Sequence, residues 1–116
     1  MNAAFLMTQT PDPYDTEQQA TAISDQIRLG ELSMEISIAL TREETLRGML
    51  TACTNALVHH LDAAFARIWT LNAETNILEL QASSGIYTHL DGDHSRVPVG
   101  ALKIGLIASE CQPHLT

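Results

Sequence analysis

The chain has 116 residues, enough for one domain with one modest core, and its 45% hydrophobic content marks it as globular rather than disordered. A net charge of −8 and an aromatic content of 4% exclude a basic, base-stacking platform for nucleic acid. Two cysteines, Cys53 and Cys111, are too few for a disulfide framework. The acidity is uneven: residues 1–62 hold nine acidic and three basic groups, as expected of solvated helix faces.

Residues 1–15 show no period and contain Pro11, Asp12 and Pro13, which predicts a disordered leader. The apolar run Ala3–Met7 is too short for a signal peptide and has no basic flank. No stretch approaches the length of a membrane span. A cytoplasmic setting, without a membrane or nucleic-acid partner, is the expectation.

Residues 16–40 read as one helix. Leu29, Leu32, Ile36 and Ala39 share one face, while Ile23, Ile27, Met34 and Ile38 share an adjacent one. The apolar arc is wide. Either one part faces the domain and the other a partner helix, or the whole is a single buried face with an irregular period. Thr41-Arg42-Glu43-Glu44 matches a capping box and predicts the start of a second helix. Leu46, Met49, Leu50, Cys53, Leu57 and Leu61 continue it at helical spacing.

After Asp62 the period becomes two. Phe65, Arg67, Trp69 and Leu71 alternate with Ala64, Ala66, Ile68 and Thr70, which predicts a strand. Asn72–Asn76 reads as a hairpin loop and residues 77–84 as the returning strand, with Leu78, Leu80 and Ala82 on one side. A polar loop over residues 86–94 leads to a short third strand over 96–99. Leu106, Ile107 and Ala108 after Gly105 read as a short helix that ends before Pro113. Gly100 and Gly105 bracket a turn that either forms the wall of a small-molecule pocket or simply needs glycine. Residues 114–116 resemble the start of another strand. Two helices followed by a meander predict an α+β domain, an antiparallel sheet with its helices segregated to one face.

Few residues carry catalytic chemistry. His89 and His94, with Asp91 and Asp93 between them, read as a solvated loop rather than as a metal site, which needs converging ligands with a second shell. His59 and His60 end the second helix, where a positive charge suits the helix dipole. Cys111 and His114 lack a third orienting group. Arg67 and Trp69 share a strand face and either line a pocket or pack together. No enzyme activity, catalytic residue or metal site is predicted, and no cofactor is identified.

From Thr41 onward the chain resembles a GAF domain, the small-molecule sensor module of histidine kinases, phosphodiesterases and related signalling proteins. Ala64-Phe65-Ala66-Arg67-Ile68-Trp69 and Leu78-Glu79-Leu80-Gln81-Ala82-Ser83-Ser84-Gly85 carry the resemblance as successive strands. Gly100, Ile104-Gly105-Leu106-Ile107-Ala108 and Gln112-Pro113 look like the family's glycine turn and pocket-side helix. The stretch Tyr87-Thr88-His89-Leu90-Asp91-Gly92 is similar to those in bacterial multidomain sensor histidine kinases. The resemblance implies a GAF-like sandwich: N-terminal helices on one face of a central antiparallel sheet, and a pocket of loops and short helix on the other. It implies ligand contacts at Arg67, Trp69, Tyr87, Gly105, Leu106 and Ile107, and a homodimer formed through the N-terminal helices. It divides the chain into a leader (1–15), a signalling helix (16–40) and a partial GAF-like domain (41–116) that stops where the family enters its next strand. An incomplete sheet of this kind is expected to be marginal alone and to bind ligand only when extended. Cys111 is followed by Gln112, not the histidine of chromophore-bearing members, and His59-His60 precede Leu61-Asp62, which is not a phosphoacceptor pattern. The alternatives to a ligand sensor are a pure interaction or dimerisation module and, third, a haem or metal sensor using a histidine.

Overall fold

A computed structural model describes residues 3–9 and 18–114. The elements run β1 (Ala4–Gln9), α1 (Gln18–Arg42), α2 (Leu46–Leu61), β2 (Phe65–Asn72), β3 (Ile77–Gly85), β4 (Arg96–Pro98) and α3 (Leu102–Glu110). The four strands form one antiparallel sheet in the order β1-β2-β3-β4, so the fold is α+β.

The first strand departs from the expected disordered leader. Ala4–Gln9 pair antiparallel with the whole first part of β2, Phe5 opposite Trp69 and Met7 opposite Arg67. Phe5 and Met7 pack against the core cluster, whereas Leu6 faces outward. The segment alternates after all, but over too few residues to show a period in isolation. Residues 10–15, the rest of the expected leader, lie outside the described residues.

β2 and β3 are joined by a turn that asparagine closes at both ends. The Asn72 side-chain oxygen accepts from the backbone N–H groups of Glu74 and Thr75 at 3.1 and 3.4 Å. Asn76 takes a left-handed φ of 58° and donates its N–H to Asn72 O at 2.8 Å. Further along, Ile68 pairs with Ala82 but Trp69 pairs with Leu80, so Gln81 is an extra residue and the strand bulges. The bulge reverses the strand's parity. Leu78 and Leu80 join the cluster with Trp69, but Ala82 lies opposite Ile68 on the other face, not with them as strict alternation predicts.

The two faces have separate cores. On one, Leu32 and Ile36 of α1 and Ala56 and Leu57 of α2 close over Ala66. Thr54 of α2 shares a buried 2.7 Å hydrogen bond with Ser84 of β3. On the other face Trp69, Leu78, Leu80, Val97 and Ile104 are buried together, with Phe5, Met7 and Ile107 packed around them. Leu78 and Leu80 are therefore covered by β1 and α3.

The helix boundaries correct three sequence expectations. Thr41 lies inside the last turn of α1 and donates to Ile38 O at 2.8 Å, so it does not cap α2. Thr45 does, with an extended backbone and a side chain that accepts the Gly48 N–H at 3.0 Å. α3 starts at Leu102, ahead of Gly105, and ends at Cys111, which adopts a left-handed φ of 54° and donates its N–H to Ile107 O. Gly105 is a packing glycine: a Cβ there would stand 2.6 Å from Pro98 O. Its own carbonyl accepts the Gly100 N–H at 2.8 Å, which locks helix to turn. On α1, Leu32, Ile36 and Ala39 face the domain, whereas Leu29 is exposed with Ile23, Ile27, Met34 and Ile38.

Two substitutions test these assignments. Thr45→Ala removes the α2 cap and is expected to destabilise the chain by about 0.5–2 kcal/mol, while Thr41→Ala has a smaller effect; equal losses in denaturant titrations would restore the capping box. Alanine in place of a helical glycine normally gains about 1 kcal/mol. At Gly105 the backbone oxygen of Pro98 stands in the way, and overpacking of about 1–3 kcal/mol prevails. Gly105→Ala is expected to lower the melting midpoint. Gly30→Ala, with nothing within 4 Å of the new methyl, is expected to raise it or leave it unchanged.

Candidate functional site

A cleft of about 350 Å³ opens on the sheet face away from α1 and α2, within the range of small-molecule sites. β1 contributes Met7, and β2 contributes Phe65, Arg67 and Trp69 from alternate positions. The loop after β3 supplies Tyr87, His89 and His94. Period-two alternation thus places a cation between two aromatic residues along one strand.

Trp69 is fully buried and donates its Nε1–H to His94 O at 2.7 Å. That bond ties the far end of the loop to the sheet. The near end is tied by Ser83, whose Oγ–H donates to Tyr87 O. Ser95 N–H and Oγ–H both donate to Gly92 O, which closes the turn between the ties. The loop is held over the cleft by side chains of β2 and β3.

Arg67 is 9% exposed, the least accessible of the six basic side chains. Its Nε–H donates to Ser83 Oγ at 2.9 Å, and its guanidinium lies 5.2 Å from the centre of the Tyr87 ring. Tyr87 in turn meets Phe65 edge-on at 5.3 Å. A cation–π contact contributes about 0.5–2 kcal/mol and a hydrogen bond to a charged group about 1.5–3 kcal/mol. The lost hydration of a buried ion is of the same order, several kcal/mol. The two contacts fix the head without neutralising it. No carboxylate among the described residues forms an ion pair with Arg67.

The residues expected to touch a ligand divide into two groups. Arg67, Trp69 and Tyr87 line the cleft. Gly105, Leu106 and Ile107 do not: Gly105 abuts the Pro98–Gly100 turn, Ile107 packs in the core, and Leu106 is exposed. Their helix begins a turn earlier than expected and serves as cover for Leu78 and Val97. Met7, Phe65, His89 and His94 were missed as cleft residues. The β2 alternation already carries Phe65; Met7 depends on a pairing 60 residues distant in sequence.

The remaining candidates have other partners. Among the described residues no group of three or more His, Cys, Asp or Glu side chains is placed to hold a metal ion. His60 is 13% exposed and its Nε2 lies 2.9 Å from Glu35 Oε2, with Glu31 Oε2 3.6 Å from Nδ1. It joins α2 to α1, a role beyond the expected interaction with the helix dipole. His114 contacts Glu110 at 2.8 Å and Cys111 bonds to Ala108 O, so the two do not form a nucleophile–base pair. Among the described residues, no helix is long and apolar enough to cross a membrane.

The thiols separate by environment. Burial pushes the Cys53 thiol up from its ordinary value, whereas Cys111 is exposed. A thiol-reactive chromogenic disulfide at pH 8 is expected to modify Cys111 first, since the thiolate is the nucleophile. Faster labelling of a Cys111→Ser chain than of a Cys53→Ser chain would overturn this ordering.

No family model matches the chain, nor does any curated protein or solved structure.

Proposed function

We propose that the chain is a non-enzymatic, GAF-like sensory or regulatory input module of a cytoplasmic signal-transduction protein of the sensor histidine kinase type. Its cleft holds a small molecule against the open face of the sheet. The observation that carries the reading is the division of labour between the two sheet faces. α1 and α2 cover one face through small residues, while the other carries the cleft with Arg67, Trp69 and Tyr87 in its walls. Helices on one face and a loop-walled cleft on the other support this reading, while the short helix α3 stands outside the cleft. The loop over residues 86–95 is the part that meets the ligand, and its ties to β2 and β3 lie one sheet away from α2.

A second reading, a dimerisation module, draws on one specific observation. Ile23, Ile27, Met34 and Ile38 are exposed along α1. In this reading those residues, rather than Leu32 and Ile36, form a seam between two copies. The two readings are compatible, since a sensor that dimerises through α1 uses both surfaces.

The test is extraction. The full chain is purified without denaturant and then unfolded, and the released small molecules are identified by mass spectrometry. A single species in roughly stoichiometric amount, lost from a Tyr87→Ala chain of unchanged melting midpoint, is the expected result. A folded chain that releases nothing, and whose Trp69 indole N–H resonance is unmoved by a metabolite library, would remove the ligand-sensing reading.

A further inference from the structure

Arg67 presents free donors to the cleft. Of its N–H groups only Nε–H has a hydrogen-bond partner among the described residues, Ser83 Oγ. The two Nη groups have none, yet no buried side-chain nitrogen or oxygen of the described residues lacks a partner. The Nη end is therefore reached from the cleft that Arg67 lines.

The surroundings narrow the choice of partner for those donors. The chain has 14 acidic residues, and none of those among the described residues lines the cleft. Asp91 and Asp93, in the loop above it, are exposed and form no ion pair with Arg67. Among the described residues, the least accessible cation of an acidic protein has no carboxylate partner. The walls beside it are aromatic: Phe65, Trp69 and Tyr87. Trp69 is fully buried at the base of the cleft, with its one polar hydrogen spent on His94 O.

Resting on the ligand-sensor reading above, we infer that the cleft takes a small aromatic monocarboxylate. Its carboxylate meets the Nη edge of Arg67 in a two-point contact, and its ring lies against Phe65 and Tyr87. A planar two-oxygen anion fits the two remaining NH₂ groups of a guanidinium whose Nε is fixed by Ser83. A ring-bearing body fits walls that offer stacking and edge contacts.

The chain's only tryptophan sits in the cleft, so its single indole N–H resonance reports occupancy. The full chain is titrated with 4-hydroxybenzoate and indole-3-acetate, with the matching amides, and with inorganic phosphate. The acids are expected to shift the resonance saturably, while the amides and phosphate do so at least about thirtyfold more weakly. Arg67→Gln is expected to weaken the acids by a similar factor and leave the amides unchanged, and Arg67→Lys to recover part of the loss. Amides that bind as well as the acids would overturn the carboxylate contact while leaving the cleft a ligand site. Phosphate equal to the acids would show a bare anion site and overturn the aromatic assignment. Silence from every probe would overturn the inference alone, since extraction of a different molecule from the purified chain judges the sensor reading separately. The acid–amide comparison on the unaltered chain stands even if Arg67→Gln fails to fold.

Discussion

Gln81 is the extra residue of β3, and the parity of the strand reverses across it. On one side of the bulge Leu78 and Leu80 face Trp69 and fill the core under α3. On the other side Ser83 faces Arg67, and its hydroxyl accepts the Nε–H. Strict alternation from Leu80 would carry Ala82 and Ser84 onto the cleft face and Ser83 away from it. Arg67 would then lose its one hydrogen-bonding partner and meet a methyl group, and a buried guanidinium with neither is costly. A bulge adds local twist and re-aims side chains. Here it allows one strand to build a dry core and a polar cleft wall on the same face.

The bulge also decides the opposite face. Ala66, Ala82 and Ser84 are small, and they present a shallow surface on which α2 lies close. Thr54 and Ser84 satisfy each other there, so two buried hydroxyls carry no desolvation penalty. α1 packs mainly on α2, with Leu32, Ile36 and Ala39 turned inward, and His60 between Glu31 and Glu35 adds a polar tie. Every residue from 22 to 31 is exposed, so the first part of α1 buries little against the domain. A helix that carries Ile23 and Ile27 in that region is stabilised mainly by its own hydrogen bonds.

The elements legible in the sequence are those whose signal is local. The 3.6-residue period marks α1 and α2, and the switch to period two marks β2 and the start of β3. The misread features all depend on the partner. β1 becomes a strand because β2 has a free edge to pair with. Gly105 sits mid-helix because Pro98 O occupies the space of a side chain. Thr45 rather than Thr41 caps α2 because α1 runs on to Arg42 and absorbs Thr41 into its last turn. The same rule divides the candidate site. Arg67 and Trp69 were readable from strand alternation, while Leu106 and Ile107 were assigned to the cleft only by resemblance, and Gly105 by resemblance and as one of two readings of its turn. The bulge had no sequence signal, since Leu78-Glu79-Leu80-Gln81-Ala82 alternates without fault.

Ser83 and Ser84 are neighbours that point to opposite faces. Ser83 holds Arg67 and the carbonyl of Tyr87 on the cleft side. Ser84 holds Thr54 of α2 on the helix side. Further along α2, His60 contacts Glu35 and Glu31 of α1. Hydrogen bonds and polar contacts therefore lead from the cleft through two adjacent residues of β3 to α2 and on to α1. Contiguity alone is not coupling, which needs an element with two arrangements that both sites bias. The loop over residues 86–95 and the exposed first part of α1 lie at the two ends of this series, and both have few buried contacts. Segments of that kind open locally at low cost. The rigid part of the molecule is the sheet between them, where the β3 bulge gives one serine to each face.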